Sequence, residues 1–201
     1  MFIRWCYITL LFTVATANDG IRSAVARLKA ENVDGTIIFT ETAEGVRVTG
    51  TIAGMDPGLH GFHVHQLGDT STCDAAGPHF NPSQVLHAGR LHPSRHVGDL
   101  GNVEFMDNKV AVLNYVDTVL ALRGPNNILG RTLVLHEHVD DLGEGGHELS
   151  STTGNAGPRV ACAVIGIYGN DAAWYQENSA VSLSPSLLLF ILSAAGLFNL
   201  L

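Results

Sequence analysis

Residues 45–53 read GVRVTGTIA and residues 109–116 read KVAVLNYV. In both runs β-branched apolar residues alternate with polar or small ones, the period-two pattern of a strand with one buried face. Val46 and Val48 in the first run, and Val110 and Val112 in the second, are expected to face the interior. Six further runs of similar character, 21–30, 35–40, 60–66, 101–106, 132–137 and 160–167, are separated by breaks rich in Gly, Asp and Asn. No segment holds a sustained helical period. The expected fold is all-β, an eight-stranded antiparallel Greek-key sandwich or barrel. The breaks at about 67–98 and 138–159 are too long for turns, and ordered loops of that length inside a compact domain usually carry function.

Composition points the same way. Glycine occurs 22 times and charged residues make up only 15 %, which suits short strands joined by turns better than long solvated helices. The net charge is −8 and lysine stands only at Lys29 and Lys109. That excludes a basic surface for nucleic acid or acidic lipid. No Asn-x-Ser/Thr sequon with x other than proline is present, so N-glycosylation is not expected.

Both ends read as processing signals. Arg4, the apolar run 5–14 and Ala15-Thr16-Ala17 form a signal peptide over 1–17, cleaved before Asn18. The mature domain, 18–170, is then secreted or extracellular. Cys6 leaves with the signal, and Cys73 and Cys162 can form one disulfide in that oxidising setting. Such a link closes about 90 residues and contributes about 4 kcal/mol in the chain-entropy description. A polar linker at 171–186 leads to the apolar tail 187–201, LLLFILSAAGLFNLL, with no Lys or Arg after it. The tail is shorter than the roughly 20 residues of a spanning helix. A glycolipid-attachment (GPI) signal with Asn178 as the attachment residue accounts for both features. A retained membrane helix and a core helix are the alternatives.

The chemistry lies in the histidines. On a strand, His63 and His65 in HGFHVHQ project from the same face and can offer two imidazoles to one ion. Alone the pair carries little weight. Further along come His79 in GPHFNP, then His87, His96 and Asp99 in RHVGD, and His136 in LVLHE. Imidazoles and a carboxylate suit Cu(II) and Zn(II).

The motifs HGFHVHQLGD, GPHFNP, RHVGDLGN, GRTLVLHEHVDDLG and TGNAGPRVACAVIGI, in this order and spanning about 21–168, resemble the copper/zinc superoxide dismutases. The resemblance implies copper held by His63, His65, His79 and His136, and zinc held by His79, His87, His96 and Asp99. His79 is then shared. Such an imidazolate has lost both ring protons, which is reasonable only between two cations. Asp140 matches the carboxylate linking a copper histidine to a zinc histidine. Arg159 matches the cation that orients the superoxide anion, Thr153 the residue across the channel, and Cys73–Cys162 the family disulfide. The implied activity is disproportionation of superoxide to dioxygen and hydrogen peroxide, with His79 handling a proton, in a protein that pairs as a homodimer.

Glu144 and Thr152 depart from the pattern, standing where lysines that attract the anion are common. The rate is therefore expected to depend only mildly on ionic strength. His92, His138 and His147 read as solvated residues and His60 as a core histidine bonded to backbone. Gly61, Gly77, Gly98 and Gly101 read as turn or close-packing positions. Rival functions fit less well. A copper carrier would be expected to have an extra metal domain or a CxxC pair, a copper-only variant would not need His87, His96 and Asp99, and a zinc-only structural domain would not need His63, His65, His136 and Arg159 together.

Overall fold

The computed structural model describes residues 21–169 and 172–175. The expected signal peptide, Asn178 and the apolar tail lie outside them. Among the described residues the strands are β1 Ser23–Lys29, β2 Asp34–Thr42, β3 Gly45–Ala53, β4 Gly58–His65, β5 Asp99–Phe105, β6 Val110–Asp117, β7 Thr132–His136, β8 Arg159–Val164 and β9 Gly166–Ile167. Two short helices, α1 Ser150–Thr153 and α2 Ala172–Tyr175, and one 3-10 turn at Asp74–Ala76 complete the elements. The strands form two antiparallel sheets, ordered β6-β3-β2-β1-β9 and β5-β4-β7-β8. The non-sequential neighbours β3 with β6 and β4 with β7 give the interleaved connections of a Greek key.

Nine strands appear where eight runs are read, because the last run divides. At Ile165 the chain leaves the second sheet: its N–H donates to Arg131 O at 2.8 Å and its carbonyl accepts from Gly130 N at 2.9 Å. Gly166 and Ile167 then pair with Val25 and Ala24 of the other sheet. One edge of the sandwich is thereby tied across.

Val46 and Val48 of β3 face the interior as expected, and Ile52 joins them. The expectation for β6 is wrong by one residue: Ala111 and Leu113 are buried, whereas Val112 is 75 % exposed. Pairing decides the phase. Ile52 lies opposite Ala111 and Gly50 opposite Leu113, and cross-strand partners share a face, so Val110 and Val112 must turn outward.

The core between the sheets is built on Phe39, Phe62, Phe105, Ile37, Leu133 and Leu135, all fully buried. Phe62 and Val64 of β4 point into this core, so His63 and His65 project from the opposite face of the same strand. That outer face would be solvated in a plain sandwich. Here the loops 66–98 and 137–158 cover it, and His63 and His65 are both buried.

Candidate metal centre

The first loop is laced to β4 by backbone hydrogen bonds. Gln66 N donates to Pro78 O at 2.8 Å, Phe80 N to Val64 O at 2.9 Å, Gly98 N to Phe80 O at 3.0 Å and Val64 N to Gly98 O at 2.9 Å. Gly98 permits this approach, since a Cβ there would stand 2.0 Å from the Val64 carbonyl oxygen. His79 is thus set beside His65, and β7 brings the His136 ring 4.9 Å from that of His63. Two four-residue groups result, His63, His65, His79 and His136, and His79, His87, His96 and Asp99, each with its ligand atoms within 4.8 Å of one another and every member buried. Every metal-binding residue read from the sequence stands in one of these groups, and His79 stands in both.

Hydrogen bonding fixes which ring nitrogens carry protons. His65 Nδ1 donates to Gly77 O at 2.7 Å and His136 Nδ1 to Gly157 O at 3.0 Å, which leaves both Nε2 atoms as lone pairs, 3.4 Å apart. His63 Nε2 donates to Asp140 Oδ2 and His87 Nε2 to Asp140 Oδ1, both at 2.8 Å. His96 Nε2 donates to Val85 O at 3.0 Å. The free lone pairs therefore converge. In the second group His79 Nδ1 and His87 Nδ1 lie 2.9 Å and His96 Nδ1 3.0 Å from Asp99 Oδ1, and His79 Nδ1 lies 3.5 Å from His96 Nδ1.

Electron-rich atoms so close repel one another unless a proton or a metal cation lies between them. The spacings approach the ~3.3 Å edge of a tetrahedron with bonds of about 2.0 Å, the size of a zinc site. In the first group His63 Nδ1 and His79 Nε2 are buried with no hydrogen-bond partner, and so is His87 Nδ1 in the second. Unpaired buried polar atoms are costly, and a metal ion would satisfy all three. The residues fit both ions. The third cluster, His63, His87 and Asp140, is of another kind, because its imidazole nitrogens are the ones that donate to the carboxylate.

The electrostatics agree. Burial, then the charge of neighbouring His79, holds His63 and His65 well below the ordinary histidine range, and burial also lowers His79. Burial brings His136 down to about 4. For His87 burial works against the charged form, but Asp140 and Asp99 outweigh it and push the ring up to about 9. The first group is thus a nest of neutral lone pairs, and the second holds the Asp99 carboxylate with Asp140 against its His87, two negative charges that demand a positive one.

The other residues singled out in the sequence lie outside these two groups. Arg159 opens β8 opposite His136, and its Nη1 donates to Cys73 O at 2.9 Å and Asp74 O at 3.3 Å. Cys73 and Cys162 are bonded, their Cα atoms 5.6 Å apart, which ties the 3-10 turn to β8. Thr153 lies half-buried at the end of α1, its hydroxyl donating to Leu149 O at 3.3 Å. His92, His138 and His147 are exposed, as are Glu144 and Thr152. His60 is buried with Nδ1 3.3 Å from His136 O and Nε2 3.1 Å from Asp56 O. Gly61 passes His63 closely, and Gly77 and Gly101 both have a φ of 75°.

Three supports escape the sequence reading. Arg95 binds both carboxylate oxygens of buried Asp117, at 2.6 and 2.7 Å, and its Nη1 donates to the carbonyls of His96, Val97 and Asp99, so a core ion pair holds the ligand-bearing bend. The one clue in the sequence is an arginine immediately before a candidate ligand. Asn102 exchanges two 2.8 Å hydrogen bonds with the Asp140 backbone. At Gly154, where φ is +64°, a Cβ would lie 1.9 Å from Asp140 Oδ1 and 2.6 Å from His87 Nε2.

The sequence model described as copper/zinc superoxide dismutase (SODC) matches residues 33–165. The chain belongs to the copper/zinc superoxide dismutase family. As a superoxide dismutase it is an oxidoreductase, and the match spans both loops and all four strands of the sheet that bears the histidines. Among solved structures, this dismutase is similar to the crystal structure of the clock protein EA4, at 45 % identity and a TM-score of 0.72, over 80 % of this chain and 100 % of that one.

Proposed function

We propose that the enzyme disproportionates superoxide at a copper–zinc pair in which His63, His65, His79 and His136 hold copper, His79, His87, His96 and Asp99 hold zinc, and His79 joins them. One observation carries this reading: His79 turns Nδ1 toward the lone pairs of one group and leaves Nε2 without a protein partner in the other. Copper supplies a centre that passes one electron at a time, while zinc, which has no redox chemistry of its own, supplies fixed charge. The protein supplies the rest. Asp140 holds His63 and His87 in one tautomer through two charge-assisted bonds. His79 can hold or release a proton at Nε2 while Nδ1 stays committed to the other group. Arg159, beside His136 and half-buried, orients the small anion, and Thr153 lines the other side of its path. A disproportionation assay beside metal analysis of the purified protein tests this. The expected result is one copper and one zinc per chain with activity that falls at least tenfold in Arg159→Ala; zinc alone, or an inert copper–zinc protein, refutes it.

The same reading places the enzyme outside the cell, tethered through Asn178 to a glycolipid or by a retained tail. The leader pattern at 1–17 supports this, as does the Cys73–Cys162 bond, which suits an oxidising compartment. Release of active enzyme from cells by a phospholipase that cuts glycolipid anchors is the expected outcome, and activity that stays in the membrane fraction favours the retained tail. A homodimer fits the exposed apolar residues Leu67, Val164 and Ile167 near the β8 and β9 edges.

A further inference from the structure

We propose that Asp74 sets the anion affinity and charge selectivity of the metal-site mouth by opposing the charge of Arg159. The inference rests on the reading of Arg159 as the cation that receives the substrate. Arg159 is already held by neutral acceptors, since Nη1 donates to the carbonyls of Cys73 and Asp74, on a turn anchored by the Cys73–Cys162 bond. The Asp74 carboxylate is not needed for that hold. Its Oδ1 lies 3.7 Å from Arg159 Nε, beyond a good hydrogen bond, and its side chain is 92 % exposed against 19 % for Arg159. The carboxylate thus hangs in solvent at the rim, beside the charge that an incoming anion must find. Glu144 and Thr152 occupy the loop positions where the family pattern would add lysines.

An anion docked on the guanidinium also lies within a few ångströms of this carboxylate. Two unit charges about 4 Å apart under water-like screening change a binding equilibrium by about fivefold, and a doubly charged anion is affected by about the square of that factor. Asp74 therefore weakens binding of every anion and penalises divalent ones most. A singly charged diatomic such as superoxide is disfavoured least. The residue acts as a charge filter whose cost is a lower capture rate.

The test uses the copper- and zinc-loaded full chain in low salt. Azide binding is followed by the change in copper visible absorption, and hydrogen phosphate, mostly divalent above neutral pH, is titrated as a competitor. In Asp74→Asn, azide affinity is expected to rise about fivefold and phosphate competition to strengthen by up to about 25-fold. Asp74→Glu, which keeps the charge, is expected to stay within about twofold of the parent for both. Unchanged or weaker azide binding in Asp74→Asn overturns the proposal, the weaker case meaning that the carboxylate steadies Arg159 instead. Equal gains for the two anions overturn the selectivity. If Arg159→Ala binds azide as the parent does, the reading of Arg159 fails and the role of Asp74 fails with it; if only Asp74→Asn is silent, Arg159 stands.

Discussion

Replacing Asp140 by asparagine keeps the shape of the side chain, removes its charge and turns one of its two oxygens into a donor. In the parent, Oδ1 accepts from His87 Nε2 at 2.8 Å and from Leu142 N at 2.7 Å, while Oδ2 accepts from His63 Nε2 at 2.8 Å. An amide cannot accept at both positions, so one ring N–H meets another donor and the remaining contact loses its ionic character. A hydrogen bond to a charged group is worth about 1.5–3 kcal/mol, which corresponds to about 10- to 150-fold in a binding constant. That range overlaps the roughly 10–100-fold generally seen when a partner of a metal-bound histidine is removed. Zinc should suffer, because His87 faces carboxylates on both sides and loses one of them. Competition titration of the metal-free protein against a chelator of known zinc affinity is expected to give a dissociation constant about 10–100-fold weaker for Asp140→Asn. A change under about threefold would show that the Asp140 bridge is incidental and that the ligands are oriented without it.

Two further outcomes follow from the charges. In the metal-free protein His63, His65, His79 and His136 have lowered pKa values, with His136 near 4, so their contribution to stability is present above about 6.5 and is lost as the pH falls through the folded values. His87, raised to about 9, acts oppositely: its contribution is complete below about 6.5 and is lost as the pH rises through 9. Four groups against one make the acid side steep, by up to about 1.4 kcal/mol per pH unit for each histidine protonated. Urea midpoints of the metal-free protein are therefore expected to fall clearly between about pH 7 and pH 5, and a flat profile would contradict the burial of these rings. With Arg159 partly offset by Asp74 and no lysine at 144 or 152, the disproportionation rate should change less than about threefold between about 50 and 200 mM salt. A steep fall would reveal a cationic funnel that these residues do not provide.

Most of the candidate ligands were legible in the sequence because they lie in short motifs that resemble those of the family; His87 stands between two of them. His63 and His65 share a strand face, and His96 and Asp99 share one bend three residues long. The strands were legible through alternation, but its phase in 109–116 was not, because the partner register on β3 selects Ala111 and Leu113 over Val110 and Val112. The crossing at Ile165 was hidden too, since its partners Gly130 and Arg131 lie more than thirty residues away. The supports of the site were the least visible. Arg95 and Asp117 stand 22 positions apart, and Gly154 is needed for its left-handed backbone and also because the side chains of Asp140 and His87 close over it. Nothing local distinguishes them from an ordinary ion pair and an ordinary turn.

The central claim is that His79 lies between two unlike ions. Crystals of the copper- and zinc-loaded enzyme, measured on either side of the copper and zinc absorption edges, test it most directly. The expected map has a copper peak among His63, His65, His79 and His136 and a separate zinc peak among His79, His87, His96 and Asp99. A single peak, mixed occupancy of both positions, or a His79 ring bound at fewer than both nitrogens would contradict it.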